Sequence, residues 1–206
     1  MANVFLATPT RGAVRPEHAL FREWLQLTEK RHSIITARYV GGYPCSAARN
    51  KIQRAFLETD AEWLLMLDDD QVPTSNPLDH IQRDLDVVGF PYPTIRVNNL
   101  PDPILWFPCE AVEGGGLVQA EAVGGGCLLI ARRVLEAPGM YPGFLDVFNE
   151  HGTHAESEDI NFCRRARVAG FKIWLDTGHP LLHWKMGEVL ELWQTRNAMI
   201  AEAANG

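Results

Sequence analysis

The amino-acid sequence predicts an α/β fold with a mainly parallel sheet flanked by helices and a short antiparallel element. Apolar, strand-like runs alternate with amphipathic helical stretches three times between residues 4 and 90. Successive β-α units of this kind build parallel sheets with right-handed crossovers. A chain of 206 residues without a linker or an internal repeat suits one domain, so a single domain spanning residues 1–206 is expected.

The first half of the chain shows the alternation most clearly. Short β-branched or apolar runs indicate strands, and apolar residues at helical spacing indicate helices. Pro16 suits a first helical turn, and Ser46 is the predicted N-cap of the second helix. The predicted order is strand 4–7, helix 16–30, strand 33–40, helix 46–59, strand 63–67, helix 76–85 and strand 86–90.

The second half is less regular. Prolines and glycines are frequent in residues 91–116, which indicates loops and a hairpin. Ser157 is a predicted N-cap, and the acids Glu158 and Asp159 in the first turn suit the helix dipole. The remaining predicted elements are strand 118–122, strand 127–131, helix 132–137, loop 141–155, helix 157–169, strand 171–175 and helix 188–204.

Composition narrows the class of protein. Hydrophobic residues make up 46% and charged residues 22%, as in ordinary globular proteins, and the net charge of -7 argues against a nucleic-acid backbone as the main partner. The four cysteines form no C-x-x-C pair, so zinc and redox motifs are unsupported. Apolar runs fall far short of the ~20 residues of a membrane helix, so no membrane span and an intracellular, cytoplasmic protein are expected.

An acidic triplet follows the third predicted strand. The buried-strand pattern of residues 63–67 runs directly into Asp68, Asp69 and Asp70. Ligands bind at the carboxyl ends of strands in open α/β sheets, and three adjacent carboxylates call for a nearby positive charge. A divalent cation such as Mg²⁺ takes one or two protein carboxylates and completes its shell with water and phosphate. Because side chains alternate along an extended chain, Asp68 and Asp70 can face the same ion. The alternative is an acidic turn in a solvated loop.

Further segments accompany the triplet in a defined order along the chain. They are Thr8-Pro9-Thr10 after the first strand, Ala48-Arg49-Asn50 on the second helix, Asp68-Asp69-Asp70 with its D-x-D pattern, Glu158-Asp159 with Gly170-Phe171 beyond the helix, and His183. This ordered set resembles nucleotide-sugar glycosyltransferases of the GT-A type, in the family-2-like group. The resemblance covers residues 3–185. It implies a Rossmann-type, GT-A-like architecture for the single glycosyltransferase-like domain.

The resemblance also implies a metal site. Asp70 and His183 would hold the ion, and Asp68 would reach either the metal through water or the ribose of the donor. Sequence alone leaves open which acid of the triplet touches the ion, and the order of preference is Asp70, Asp68, Asp69. Imidazole suits Mn²⁺ better than Mg²⁺, so a histidine ligand favours manganese, with magnesium as the other candidate. Alternatively, His183 is a half-buried histidine with a purely structural role.

Donor binding is expected on the segments around the first strand and the second helix. Arg49 would form a charge-assisted bond to the donor diphosphate, where the alternative is a surface salt bridge. The glycines would let the backbone approach the sugar or acceptor, or else mark a β-bulge. The predicted donor-binding residues are Thr8, Pro9, Thr10, Arg11, Arg49, Asp68, Asp69, Gly125 and Gly126.

The catalytic base would come from the pair Glu158 and Asp159. By resemblance Asp159 deprotonates the acceptor hydroxyl in an inverting reaction, with Glu158 as its competitor; a retaining reaction or a plain helix-capping role are alternatives. Trp106 and Phe107 would form an aromatic platform for the acceptor, unless they simply pack at the edge of the core.

The implied function is transfer of a sugar, and a hexose before others, from a UDP- or GDP-sugar donor to an acceptor hydroxyl. The acceptor stays open among a glycan, a protein, a small molecule and a modified DNA base, in a bacterial cell or a phage-infected host. Two other classes remain: a metal-dependent phosphohydrolase or nuclease, which often needs a second metal and more acids, and a non-catalytic nucleotide-sugar-binding module, which would not need both the triplet and the acid pair.

Overall fold

A seven-stranded mixed sheet lies at the centre of the computed structural model, which describes residues 1–10, 12, 14–92, 94–96, 104–106 and 116–183. In chain order the strands and helices are β1 Asn3–Thr10, α1 Pro16–Thr28, β2 Ser33–Gly41, α2 Cys45–Leu57, β3 Trp63–Leu67, β4 Gln71–Pro73, a 3₁₀ helix Pro77–Arg83, β5 Val87–Gly89, β6 Thr94–Arg96, β7 Ile104–Trp106, β8 Leu117–Ala120, β9 Cys127–Ala131, α3 Arg132–Glu136, β10 Val147–Phe148, β11 His154–Glu156, α4 Glu158–Val168, β12 Ile173–Asp176 and β13 Leu181–His183.

The main sheet has the strand order β2-β1-β3-β9-β5-β12-β8. Strands β1, β2, β3, β5 and β12 run in one direction, whereas β9 and β8 run against their neighbours. The predicted α/β fold with a mainly parallel sheet and a short antiparallel element is therefore confirmed.

The central strands are buried on both faces, which explains their unbroken apolar sequences. Every residue of β3 and β9 is buried, as are the six central residues of β1. Strands covered by helices on both sides of a sheet read as continuous apolar runs rather than as alternating patterns. Helix α2 packs on this sheet through Ile52 and Phe56, and the Phe56 ring meets Phe5 edge-on at a centroid distance of 6.0 Å.

Several element boundaries differ from the prediction. Strand β1 continues to Thr10, because its pairing with β2 extends to Gly41. Helix α2 starts at Cys45, so Pro44, and not Ser46, occupies the N-cap position. The predicted helix 76–85 is a 3₁₀ helix, capped by the Asn76 side chain, which accepts from the Leu78 amide at 3.0 Å.

Short strand pairs account for the remaining differences. The predicted loop 141–155 contains most of the hairpin formed by β10 and β11, and β6 pairs with β7 in the region predicted to hold a hairpin. The antiparallel pair of β4 with β13 was not predicted. The predicted helix 188–204 lies outside the described residues. Among the described residues, no helix is long and apolar enough to cross a membrane.

Candidate functional site

A cleft of about 510 Å³ opens at the carboxyl ends of β1 and β3. Helices α1 and α2 both begin at its rim, and neither has a side-chain hydrogen bond that caps its N-terminus. Uncapped backbone N–H groups and the positive end of the helix dipole favour anions such as phosphate. The lining residues are Pro9, Thr10, Val14, Arg15, Pro16, Gly42, Cys45, Ala48, Asp68, Asp69 and Asp70.

The acids of the triplet diverge at the floor of this cleft. Asp68 accepts from Arg49 Nη2 at 2.9 and 3.0 Å, whereas Asp69 accepts from the Thr10 hydroxyl at 2.7 Å. Asp70 Oδ2 lies 3.4 Å from His183 Nε2. The three carboxylates thus have three different protein partners.

Arg49 joins the triplet to the acidic first turn of helix α4. Its side chain is 3% exposed, and Nε donates to Glu158 Oε1 at 3.2 Å while Nη1 donates to the Gly125 carbonyl at 2.9 Å. With Asp68 on Nη2, the guanidinium is held from three sides by the protein. The sequence suggested that Arg49 faces a donor diphosphate; in the structure it is a buried cation that holds the acids of the site in place.

Burial raises the pKa of Asp68 to about 6; the Arg49 charge opposes this shift and the neighbouring Asp70 adds to it. Asp68 therefore changes its charge close to neutral pH, where an ordinary aspartate stays ionised. A cation bound beside Asp68 and Asp70 would favour the ionised form, since opposite charges lower the pKa of a carboxyl.

Asp159 sits at the start of α4 with both carboxylate oxygens engaged. Oδ2 accepts from the Gly125 amide at 2.8 Å, and Oδ1 accepts from the Ile160 amide at 2.8 Å and from the Ser157 hydroxyl at 2.5 Å. The Ser157 hydroxyl therefore serves Asp159 and does not make the predicted N-cap bond. These bonds fix the orientation of the carboxylate, and the Arg49 network places it beside Glu158 and the acidic turn.

The glycines of the site are required by close packing of the protein itself. A Cβ at Gly125 would lie 2.6 Å from Arg49 Nη2, and one at Gly126 would lie 2.7 Å from the ring of Tyr92. Sequence reasoning expected these glycines to admit a ligand. They instead admit the Arg49 guanidinium and the Tyr92 ring, and the Gly126 carbonyl accepts from the Asp68 amide at 2.9 Å.

Asp70 and His183 are spaced as two ligands of one divalent cation would be. Two ligands of one octahedral ion with bonds of 2.0–2.1 Å lie roughly 3 Å apart, close to the 3.4 Å between Asp70 Oδ2 and His183 Nε2. Gln71, opposite His183 in the β4–β13 pair, has a buried Oε1 without a hydrogen-bond partner among the described residues. No group of three His, Cys, Asp or Glu side chains in the described chain could hold a metal. The two ligands Asp70 and His183 therefore suit an ion that takes few protein ligands.

The other predicted residues divide between the cleft and the interior. Pro9 and Thr10 line the cleft, but Thr8 does not: it is fully buried, and its hydroxyl accepts from Arg22 at 2.6 Å. Arg11 and Phe107 lie outside the described residues, as does the side chain of Trp106.

Sequence reasoning missed Tyr92. Its ring packs on Gly126 and meets the His183 ring edge-on at a centroid distance of 5.4 Å. Burial raises the pKa of the phenol, and Asp68 and Asp159 add to that shift. The only signal in the sequence was a tyrosine between two prolines just after a predicted strand.

Comparison with known proteins supports the fold and goes no further. No family profile matches the chain, and no curated protein matches it. Among solved structures it is similar to A197 from STIV, with a TM-score of 0.58 and 22% identity over 89% of this chain and 85% of that one. At this identity the likeness shows a shared α/β architecture over most of both chains.

Proposed function

We propose that this protein is a metal-dependent glycosyltransferase that moves a sugar from a nucleoside-diphosphate donor to an acceptor hydroxyl. The observation that carries the proposal is the network around Arg49, which joins the acidic turn after β3 to the Glu158–Asp159 pair of α4. Asp68, on the donor side, and the pair that holds the candidate base are thereby held together beside a cleft at which two helices begin. The ordered motifs of the sequence support the same assignment.

The cleft suits the nucleoside diphosphate. Its volume of about 510 Å³ falls in the usual range of small-molecule sites, roughly 300–1,000 Å³. The N-termini of α1 and α2 offer backbone N–H groups to phosphate oxygens, and Arg15 lines the same cleft. The apolar residues Pro9, Val14 and Ala48 provide a surface for the base or ribose.

Asp70 and His183 would hold the divalent cation, manganese in preference to magnesium because of the imidazole. When bound, such an ion supplies Lewis-acid neutralisation of the negative charge on the departing diphosphate. Asp68, which accepts from Arg49, would contact the donor ribose.

Asp159 is the proposed general base, acting in an inverting reaction. It would take the proton of the acceptor hydroxyl as that oxygen bonds to the anomeric carbon and the diphosphate leaves. Two backbone amides and the Ser157 hydroxyl hold the carboxylate in one orientation. Glu158 is the weaker candidate, because its Oε1 accepts from the buried Arg49.

A phosphohydrolase with two metals fits the geometry less well. Such sites need several carboxylates facing one space, whereas Asp68 and Glu158 are turned towards Arg49 and Asp69 towards Thr10.

Donor cleavage measured beside binding tests the proposal. Thermal shift with UDP-, GDP-, CDP- and dTDP-sugars, each with Mn²⁺, Mg²⁺ or EDTA, should show stabilisation by one nucleotide class that requires metal, and the same mixture should slowly release free nucleotide. Stabilisation by every nucleotide without metal would contradict an enzyme of this kind. Metal-dependent binding of a donor that is never cleaved, either by water or with an added acceptor, would contradict it as well.

A further inference from the structure

We propose that the Tyr92 phenol contacts the transferred sugar and donates a hydrogen bond to one of its hydroxyl groups. This inference rests on the proposed function and adds a specificity-determining residue to it. The ring lies against Gly126, where a Cβ would come within 2.7 Å of it, and stands perpendicular to the His183 imidazole at 5.4 Å with an interplanar angle of 87°.

The phenol lies between the two halves of the site. On the donor side, Gly126, against which the ring packs, accepts through its carbonyl from the Asp68 amide at 2.9 Å. On the other side, the adjacent Gly125 amide donates to the carboxylate of Asp159, the candidate base, at 2.8 Å. In a transfer reaction the sugar passes between the leaving diphosphate and the attacking acceptor. A group flanked by the donor-side acid and the base therefore faces the sugar itself.

The charge of the surroundings favours a sugar over a phosphate as the partner of this hydroxyl. Next to the ring, Arg49 pairs with Asp68 and Glu158, and the Gly125 amide donates to Asp159, so three carboxylates share one cation there. An anion would be repelled by these acids, whereas a neutral polyol can donate to carboxylates and accept from a phenol.

The expected size of the effect follows from the chemistry of one neutral hydrogen bond. Tyr92→Phe removes only the hydroxyl and keeps the ring that packs on Gly126. A hydrogen bond between neutral groups changes an equilibrium or a rate constant by about three- to tenfold. We therefore expect Tyr92→Phe to lower kcat/KM for donor cleavage by about tenfold while Mn²⁺ and nucleotide affinities stay unchanged.

The test uses whichever of UDP-glucose, UDP-galactose and GDP-mannose the wild-type chain cleaves best with Mn²⁺, together with its monodeoxy analogues. The analogue that lacks the sugar hydroxyl contacted by Tyr92 should be cleaved equally by wild type and Tyr92→Phe, because neither protein can form that hydrogen bond with it. Tyr141→Phe, in an exposed loop position, is the matched control and should behave as wild type.

Three results would overturn the inference. Full activity of Tyr92→Phe with unchanged discrimination among the analogues would show that the phenol does not touch the sugar. Loss of Mn²⁺ or nucleotide binding in that variant would assign it a structural role. In either of these cases, the proposed function would still stand if wild type cleaves the parent donor. If wild type cleaves no donor, both the proposed function and the role of Tyr92 are wrong.

Discussion

Replacing Arg49 with methionine should destabilise the protein strongly, because the change removes a buried cation and leaves its acids behind. Breaking a buried ion pair by deleting one partner costs about 3–5 kcal/mol. The side chains of Asp68 and Glu158 are 24% and 14% exposed, so water screens part of the uncompensated charge. We therefore expect the lower end of that range, about 3 kcal/mol of unfolding free energy, or roughly 6–12 °C in Tm for a chain of this length.

Urea denaturation followed by tryptophan fluorescence, at pH 8 with EDTA, measures this loss. Arg54→Met is the matched control on the same helix: Arg54 also pairs with a glutamate, Glu58, but the two side chains are 73% and 67% exposed. Exposed pairs of this kind contribute about 0–1 kcal/mol. The difference in unfolding free energy between the two variants separates the effect of burial from the effect of an ion pair as such.

The pH dependence of the Arg49→Met variant gives a second check. The pKa of Asp68 is about 6 with Arg49 present, and Arg49 lowers it. Without the guanidinium the pKa rises further, so at pH 5 the Asp68 carboxyl is neutral and no longer contributes an unpaired charge. The deficit should therefore be smaller at pH 5 than at pH 8. A variant as stable as Arg54→Met at pH 8, or a deficit that does not change between the two pH values, would refute this account of Arg49.

Three other changes have defined expected outcomes. Glu29 is buried, which disfavours its charge, but hydrogen bonds from Arg31 and Asn76 outweigh this and lower its pKa from 4.5 to about 2. Glu29→Gln should therefore cost roughly 2–3 kcal/mol of unfolding free energy at pH 7. Because the folded-state pKa is depressed, that difference should close as pH falls from about 4.5 to about 2 in chemical denaturation, and a gap that persists at pH 2 would contradict it. Asp159→Asn should keep donor and Mn²⁺ affinity but lose about 100-fold or more in turnover; full turnover would move the base elsewhere. Gly125→Ala should lower Tm and donor affinity together, since its Cβ would lie 2.6 Å from the Arg49 guanidinium, and a neutral result would show that the network can yield.

The sheet could be predicted because its signals are local. The apolar runs of β1, β3 and β9 reflect burial on both faces, and helix spacing placed α1, α2 and α4 to within a few residues. The pair of β4 with β13 could not be found in the same way. Three-residue strands carry no periodicity, and their partners lie more than a hundred residues apart in the chain.

The acids of the candidate site could be predicted from the sequence, but the contacts among its side chains could not. The position of the triplet follows from the strand that precedes it. The role of Arg49 depends on Glu158 and Gly125, which are 109 and 76 residues away, and no local pattern reports such contacts. Helical spacing was compatible with a surface position for Arg49, and only the packed structure shows it buried. Tyr92 lay in a proline-rich stretch with no motif to mark it.

We propose that a divalent cation at Asp70 and His183 couples the protein to a nucleoside diphosphate. Calorimetric titration of UDP and GDP into wild type and Asp70→Asn, each with Mn²⁺ or EDTA, tests it directly. We expect one nucleotide to bind wild type only with Mn²⁺, and its affinity to fall by roughly 100-fold in Asp70→Asn, since even outer-sphere partners of a metal are worth about 10–100-fold. Equal binding with Mn²⁺ and EDTA, or an Asp70→Asn variant that binds as wild type does, would contradict the claim.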